Sequence, residues 1–265
     1  MGDQPKDSIS GETIDSAAGL IIEARRIVVF TGAGISTGAE IPKLTTESGV
    51  AVSATEAHSF PQFVGDPAER KRSWQLWSMF RMIDDTQPNA THGAVAEIYR
   101  MDKLDCVITQ NVDGLHQKSG IPDDKVIELH GSIRWLKCLS CGKRYSMLDI
   151  AKRLAEGQDE ESTCSDCGGK LKSATVSFGE PPLSEEISQA EKHSRNCDLF
   201  MLLGSSLMVY PAAYMPIYAV ESGAKLMIIN TGTSNIDDKA DIFLKTEINN
   251  ILPIIINRVK EKIGN

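Results

Sequence analysis

The sequence has no apolar run approaching the roughly 20 residues that a membrane-spanning helix requires. Its first residues, Met1 to Gly11, are polar and contain no hydrophobic segment of the kind found in secretory signals. Basic charge is also scarce, since 28 lysines and arginines against 36 acidic residues give a formal net charge of −8. Binding to nucleic acid without sequence preference needs a basic face that displaces counterions, so we expect no direct nucleic-acid partner. These deficits predict a soluble, cytoplasmic protein with no membrane association.

The chain has 265 residues, of which 41% are apolar, and this is long enough for one large core and a small additional module. Short β-branched apolar runs alternate with longer helical patterns, which is typical of a parallel sheet. The predicted strands are Ile27–Phe30, Cys106–Thr109, Val126–Leu129, Leu199–Leu203, Leu226–Ile229 and Ile242–Leu244. The predicted helices include Thr13–Arg25, Ala90–Arg100 and Ile251–Ile263. We therefore predict an α/β fold with a doubly wound, Rossmann-like parallel sheet.

Two stretches interrupt this alternation, and we predict that they form a smaller module inserted into the sheet domain. Residues 43–86 contain Trp74, Trp77 and Phe80 at helical spacing, which favours helical packing around a loop. Residues 136–173 carry paired cysteines. The sheet domain would then comprise residues 12–42, 87–135 and 174–265.

The cysteines predict a metal site. Four of the six form two Cys-x-x-Cys pairs with 22 residues between them, an arrangement typical of a zinc ribbon: Cys138, Cys141, Cys164 and Cys167. Four thiolates leave no open position for a catalytic water, so we predict one structural zinc ion. Cys106 and Cys197 precede apolar runs and are expected to be buried as small hydrophobic residues.

A glycine-rich segment follows the first predicted strand directly. Residues 31–38 read Thr-Gly-Ala-Gly-Ile-Ser-Thr-Gly, and glycines at such a turn let backbone N–H groups approach a pyrophosphate at a helix start. The spacing differs from the usual dinucleotide fingerprint, so a plain strand-to-helix turn is an alternative. As a cofactor loop, the segment would contribute Gly32, Ala33, Gly34, Ile35, Ser36 and Thr37.

Polar side chains follow two further predicted strands, at the edge where an open parallel sheet binds ligands. Gln110, Asn111 and Asp113 come after one of them, and their amides and carboxylate suit a sugar and a carboxamide, although they could instead cap the next helix. His130 ends the strand Val126–Leu129, where a neutral imidazole could take a proton from a ribose hydroxyl. We predict that His130 is a general base.

The other four histidines are predicted to take no part in the chemistry. His92 and His116 are expected to form local hydrogen bonds, and His58 and His193 to lie at the surface.

Two more segments have the character of binding loops. Gly204, Ser205 and Ser206 follow the strand Leu199–Leu203 and are predicted to hold a phosphate or a ribose. Residues 176–180, Val-Ser-Phe-Gly-Glu, could offer a sheet edge to an extended peptide, with an ordinary core strand as the alternative.

In this order, the segments resemble the sirtuin family of NAD-dependent protein lysine deacylases, of the bacterial or archaeal type. The resemblance runs from about Ala17 to Leu252, and it includes Gly-Ala-Gly-Ile-Ser, Thr-Gln-Asn-Val-Asp-Gly-Leu-His, His-Gly, the paired cysteines, Phe-Gly-Glu, Gly-Ser-Ser-Leu and a late asparagine. It implies that NAD binds between the sheet domain and the small module, while an acyl-lysine protein or peptide enters from the opposite side. The implied reaction removes acyl groups, most often acetyl, and yields nicotinamide and O-acyl-ADP-ribose.

The resemblance also implies roles for individual residues. His130 and Asn111 would be catalytic, with Asn111 and Asp113 positioning the ribose and the carboxamide and Gln110 the ribose hydroxyls. Further residues implied to bind the cofactor are Gly204, Ser205, Ser206, Asn230, Thr231 and Ile248. Residues implied to pair with the substrate backbone are Val176, Phe178 and Gly179.

The sequence departs from the family after Ile41-Pro42, where Asp-Phe-Arg is usual and this chain has Lys43-Leu44-Thr45. Glu40 also stands where glycine is usual. The missing aromatic would shield the reacting ribose, and Lys43 restores a charge but not the planar fork of arginine. We hypothesise that turnover is weakened, or that this loop serves a different acyl or ADP-ribosyl transfer.

Two alternative functions use the same residues. One is mono-ADP-ribosyl transfer or NAD hydrolysis, and the other is a catalytically weakened, NAD-responsive binding protein. For a deacylase, neutral acyl groups are expected, because Trp77 and Phe80 stand where members that remove acidic acyl groups have a Tyr-x-x-Arg pair.

Overall fold

The computed structural model describes residues 9–37, 39, 59–79, 85–156 and 163–264. Its strands in chain order are β1 (Ile27–Thr31), β2 (Leu104–Thr109), β3 (Val126–Glu128), β4 (Gly131–Cys138), β5 (Arg144–Ser146), β6 (Leu171–Thr175), β7 (Leu199–Leu203), β8 (Lys225–Ile229) and β9 (Ile242–Leu244). Its α-helices are α1 (Gly11–Glu23), α2 (Phe60–Gly65), α3 (Pro67–Met79), α4 (Ala90–Arg100), α5 (Leu115–Lys118), α6 (Met147–Ala155), α7 (Ser184–Asn196), α8 (Met215–Glu221) and α9 (Ile248–Ile263).

Six parallel strands form the main sheet, in the order β3-β2-β1-β7-β8-β9. The chain builds outward from β1 in one direction and then returns to build outward from β7 in the other. β1 and β7 are therefore neighbours at the point where the strand order reverses, which is where open α/β sheets bind their ligands. The predicted doubly wound fold is confirmed.

Helices cover both faces of this sheet, which explains why its central strands are apolar on both sides. β1 and β7 are buried along their whole length. Apolar residues of α1, α4 and α9 pack against one face, while α7 and α8 contribute to the core on the other. The two hydrophobic layers hold the sheet, and with it the loops at its carboxyl edge, in place.

Local capping explains where the predicted helices begin and end. Asn89 accepts from two backbone amides at the start of α4, and the predicted bounds of this helix are confirmed. The first helix ends two residues earlier than predicted, because the amides of Arg25 and Arg26 donate to the Asp198 carboxylate at 3.0 and 2.8 Å. The last helix begins at Ile248, three residues earlier than predicted. Asn249 and Asn250 follow this residue and interrupt the apolar pattern from which the start of the helix was predicted.

A second, antiparallel sheet has the order β5-β4-β6 and belongs to a smaller core. Phe63 of α2 and Trp74 of α3 pack in one apolar cluster with Leu136 and Leu171 of this sheet. The two predicted insertions therefore meet, although the predicted junctions at 135/136 and 173/174 fall inside β4 and β6. The division into two domains stays a prediction.

None of the helices in the described ranges is long and apolar enough to cross a membrane. His58, Phe80 and the 40–45 segment lie outside the described residues, as does the side chain of Trp77.

The loops after β1 and β7 are packed backbone against backbone. A Cβ added to Gly34 would lie 2.7 Å from Cα of Gly204, and one added to Gly32 would lie 2.8 Å from the Gly204 carbonyl oxygen. Real Cβ atoms do not approach backbone this closely, so both positions require glycine.

Gly34→Ala should therefore destabilise the fold by about 1–3 kcal/mol, because the added methyl group forces the two loops apart. Gly19→Ala is the matched control, since Gly19 lies within α1 with nothing within 4 Å of an added Cβ. Alanine there should stabilise the helix by roughly 0.5–1 kcal/mol. Urea denaturation of both variants measures the difference, and equal free energies of unfolding would contradict the packing argument.

Candidate active site

The residues predicted to bind NAD converge at the carboxyl edge of the main sheet. The loops that start at Gly32, Gln110, Gly204 and Asn230 follow β1, β2, β7 and β8, and His130 follows β3. Parallel strands all end at the same edge, so five segments far apart in the sequence meet around the β1–β7 junction. The site is built from these loops.

The loop after β1 differs from the expected helix start. It forms a single 3₁₀ turn, Ala33–Ser36, and the amides of Gly32 and Gly34 donate to the carbonyls of Leu203 and Gly204 at 3.1 and 2.9 Å. These two backbone amides therefore already donate hydrogen bonds within the protein, where the sequence predicted that they would face a pyrophosphate. Ile35 is fully buried in the core, so it can meet a ligand only through its backbone, whereas Ala33 and Thr37 are exposed.

A hydrogen-bond network orients the carboxamide of Asn111. Its Nδ2 donates to the Gly32 carbonyl oxygen at 3.1 Å and lies 3.3 Å from Ser36 Oγ. Ser36 Oγ in turn donates to Asp113 Oδ2 at 3.0 Å, while Asp113 Oδ1 accepts from the Leu115 amide. The carboxylate of Asp113 therefore accepts from the first amide of α5, as the capping alternative predicts, and its second oxygen is bonded to Ser36, while its role in binding stays a prediction.

A second network joins the loops after β2, β7 and β8. Ser205 Oγ donates to Gln110 Oε1 at 2.7 Å, and Asn230 Nδ2 donates to the Ser205 carbonyl at 3.0 Å. Ser205 is buried, whereas Ser206 and Thr231 are exposed at this edge. Ile248 packs its side chain under the loop, since its Cδ1 would lie 2.7 Å from a Cβ on Gly204.

The hydrogen bond of His130 determines which of its two ring nitrogens carries the hydrogen. Nδ1 lies 3.0 Å from the Gln110 carbonyl oxygen, which can only accept, so in the neutral ring Nδ1 carries the hydrogen and Nε2 keeps a lone pair. Burial lowers the pKa of His130, and the bond to the Gln110 carbonyl opposes this only in part. The ring is therefore neutral at pH 7 and can accept a proton at Nε2.

The backbone of His130 is joined directly to the 176–180 loop. The Val176 amide donates to the His130 carbonyl oxygen at 2.8 Å, and β6 ends at the residue before Val176. Phe178 is 68% exposed, and its carbonyl accepts from the Phe60 amide. The alternative of an ordinary core strand is wrong for Phe178 and Gly179, which form an exposed turn.

Below these loops lies a pair of buried histidines. His116 Nε2 lies 3.0 Å from Thr31 Oγ1, whose own hydrogen is donated to Thr109 Oγ1, so the imidazole must donate here. His92 Nδ1 bonds Asn89 Oδ1 at 2.8 Å. The prediction of local hydrogen bonding is confirmed for both, whereas the threonine pair was not predicted because a threonine at the end of a strand carries no special signal.

His193 was predicted to lie at the surface, and this is wrong in part. It is half-buried, and its Nδ1 lies 2.6 Å from Asp105 Oδ2 at the start of β2, the edge opposite the site.

The four paired cysteines meet as predicted. The distance between the Sγ atoms is 3.5 Å for Cys138 and Cys167 and 3.6 Å for Cys141 and Cys164, and all four lie within 4.8 Å of one another. Four sulfurs at about 2.3 Å from a central ion would be separated by roughly 3.8 Å, so the cluster has the size of a tetrahedral zinc site. The remaining cysteines are buried as expected, and burial raises the pKa of the Cys197 thiol to about 12.

The fold and this edge define a doubly wound α/β protein with polar loops at the β1–β7 junction and an inserted four-cysteine module. A family model described as the Sir2 family matches residues 32–211. The chain is 40% identical over 240 residues to NAD-dependent protein deacetylase 1 of Bradyrhizobium diazoefficiens, which covers 90% of this chain and 93% of that protein. The chain therefore belongs to the Sir2 family, and the predicted resemblance to the sirtuins is confirmed.

Solved structures agree with this assignment. A structure from work on the mechanism and regulation of Sir2 enzymes aligns with a TM-score of 0.78 and 36% identity, over 96% of this chain and 100% of that one. A structure of Sir2 bound to an acetylated peptide aligns with a TM-score of 0.77 and 31% identity, over 95% and 98% of the two chains.

Titration by NMR tests the assignment of protons in this site. Burial lowers the pKa of His130 and brings that of His116 to about 3, from an ordinary value of 6.5. With resonances assigned from His130→Asn and His116→Gln, we expect His130 to titrate below pH 6.5 and His116 to stay neutral at pH 5. A midpoint for His130 at or above 6.5 would contradict a neutral base at pH 7.

Proposed function

We propose that this protein removes acyl groups, most often acetyl, from lysine side chains of proteins, with NAD as the co-substrate and nicotinamide and O-acyl-ADP-ribose as products. Membership of the Sir2 family and the deacetylase relative support this reaction. The observation that carries the proposal is His130, whose Nδ1 is tied to the Gln110 carbonyl while Nε2 is left as a base.

The polar groups at the carboxyl edge suit the nicotinamide ribose end of NAD. Asn111 is held by the Gly32 carbonyl and Ser36, and Asp113 is held by Ser36 and the Leu115 amide, so neither side chain must be ordered when a ligand binds. Ordering before binding lowers the entropic cost of recognition. We assign the ribose and the carboxamide to Asn111 and Asp113, and the ribose hydroxyls to Gln110.

The rest of the dinucleotide would lie along the β1–β7 junction. Exposed groups there are those of Ala33, Thr37, Ser206 and Thr231. Gly32, Gly34, Gly204, Ser205, Asn230 and Ile248 support these groups through loop packing and hydrogen bonds.

The acyl-lysine peptide would bind beside the 176–180 loop. Phe178 and Gly179 are exposed there, and Val176 is bonded to the backbone of His130, so a peptide paired with this loop lies next to the base. The structure of a Sir2 protein with an acetylated peptide supports a substrate of this class.

The roles of the residues in the reaction follow from this arrangement. NAD supplies a ribose carbon from which nicotinamide leaves and to which the weakly nucleophilic acyl oxygen adds. Asn111 and Asp113 would position the ribose and the carboxamide for this reaction. His130 Nε2 would then take the proton of a ribose hydroxyl, so that its oxygen attacks the acyl carbon, and the Gln110 carbonyl would stabilise the imidazolium by accepting from Nδ1. One water would complete the exchange: the C–N bond to lysine breaks, the amine leaves with the proton that His130 held, and the acyl group stays on the ribose oxygen.

Mass spectrometry of the protein with NAD and an acetyl-lysine peptide tests the proposal. We expect deacetylated peptide and O-acetyl-ADP-ribose in equal amounts, and a rate reduced about 10²–10⁴-fold in His130→Ala, since the general base is lost. His193→Ala is the matched control, because His193 lies at the opposite edge of the sheet, and its rate should stay near that of the wild type.

Other products would identify the alternative functions. Free ADP-ribose with intact peptide indicates NAD hydrolysis, ADP-ribosylated protein indicates ADP-ribosyl transfer, and bound but unconsumed NAD indicates a binding protein. Slow turnover would agree with the hypothesis for Lys43, Leu44 and Thr45, and normal turnover insensitive to changes at Lys43 and Leu44 would contradict it.

We further propose that the four paired cysteines hold one structural zinc ion. The sulfurs have the separation that tetrahedral zinc requires, and Cys138 and Cys164 belong to the small apolar core that joins the sheet of this module to α2 and α3. An ion with four thiolate ligands would stabilise a module whose own core is small.

Elemental analysis tests the zinc proposal. We expect one zinc per chain in the wild type, none in Cys141→Ser after dialysis, and one in Cys106→Ala, which also removes a thiol but outside the cluster. Loss of zinc should expose the apolar surface of the module, which is measured as increased binding of a hydrophobic dye. A wild type without zinc, or a Cys141→Ser variant that keeps it, would refute the assignment.

A cytoplasmic location and the absence of a nucleic-acid partner remain predictions from the sequence. The net charge of −8 supports the second.

A further inference from the structure

Lys172 is a buried lysine outside the residues assigned to the reaction. It is the second of the five residues of β6 and is 3% exposed. Burying an ammonium group is unfavourable unless each of its hydrogens finds an acceptor. The acceptors of Lys172 therefore indicate what the charge stabilises.

All three acceptors belong to the segment that leads into the 176–180 loop or closes it. Lys172 Nζ donates to the carbonyl oxygens of Ser173 at 3.2 Å and Thr175 at 2.6 Å, and it lies 2.9 Å from Glu180 Oε2. Three N–H groups thus meet three oxygens. The ammonium joins the beginning of the loop to its end.

Glu180 connects Lys172 to the backbone of the 176–180 loop. Its Oε2 also accepts from the Ser177 amide at 3.0 Å, and the Glu180 amide donates to the Ser177 carbonyl at 3.0 Å. The turn that presents Phe178 and Gly179 is therefore closed by the carboxylate that Lys172 holds. Charged hydrogen bonds of this kind are stronger than neutral ones and geometrically more restrictive.

We propose that Lys172 is a positioning residue for the acyl-lysine peptide, which acts by holding the 176–180 loop through Glu180 in the conformation that pairs with the substrate backbone. The inference rests on the proposed function of this loop. In the described part of the chain, the hydrogen bonds and the ion pair of Lys172 go to Ser173, Thr175 and Glu180 and not to a residue assigned to NAD, so its effect is expected in peptide binding and not in NAD binding.

Three variants separate this role from general damage to the fold. Lys172→Met keeps an unbranched side chain, one atom shorter than lysine, and removes its charge, whereas Lys172→Arg keeps the charge. Lys137→Met is the matched control, because Lys137 lies directly opposite Lys172 in the β4–β6 ladder and is exposed.

Steady-state kinetics with NAD and an acetyl-lysine peptide give the first readout. In Lys172→Met we expect the KM for peptide to rise about tenfold, with kcat and the KM for NAD within about twofold of wild type. Lys172→Arg should recover part of the peptide affinity, and Lys137→Met should match the wild type. Unchanged peptide KM, or equal losses in kcat and both KM values, would overturn the proposal.

Hydrogen exchange of the 171–182 segment gives a readout that needs no turnover. The Ser177 amide should exchange faster in Lys172→Met and in Glu180→Gln than in the wild type or in Lys137→Met, since its acceptor is released. Unchanged exchange would overturn the role of Lys172. A wild type that produces no deacetylated peptide would refute the proposed function, while the exchange experiment would still decide on the lysine.

Discussion

The close contact between the loops after β1 and β7 is the constraint on which the rest of the site depends. Gly34 and Gly204 approach so closely that neither could carry a side chain without displacing the other's backbone. This approach places Ser205, the next residue, where its hydroxyl reaches Gln110. The Gln110 carbonyl then holds the imidazole of His130. The contact between the two backbones is thus linked to His130, the proposed base, by one hydrogen bond to the side chain of Gln110 and one to its main chain.

The polar residues of this edge satisfy one another before any ligand arrives. Ser36, Asn111 and Asp113 form one set of bonds, and Gln110, Ser205 and Asn230 form another. Such preorganisation matters for catalysis, because groups that are already oriented need not reorganise when charge develops. It also means that a residue proposed to act in the chemistry also supports the architecture of the site, so a substitution there affects both.

The parallel sheet and the set of loops at its edge could be predicted from the sequence, because buried strands and strand-end polar residues leave short, local patterns. β7 and β9 were predicted to the residue for this reason. The reason for the glycines could not be predicted in the same way, since the Gly34–Gly204 contact joins positions 170 residues apart in the sequence. Lys172 was missed because nothing in a sequence distinguishes a buried lysine from an exposed one, and the threonine pair below the site was missed likewise.

The strand β4 has a consequence for how sequences of this type can change. It begins immediately after His130 and ends at Cys138, which is the first of the four paired cysteines. From Leu136 to Cys138 this strand pairs in regular register with β6, so inserting or deleting a residue there would change which face the following side chains occupy and displace the cysteine from its partners. This part of the interval between His130 and the first cysteine is therefore fixed in length, and β5 and α6, which lie between the two cysteine pairs, are constrained in the same way because both pack with β4.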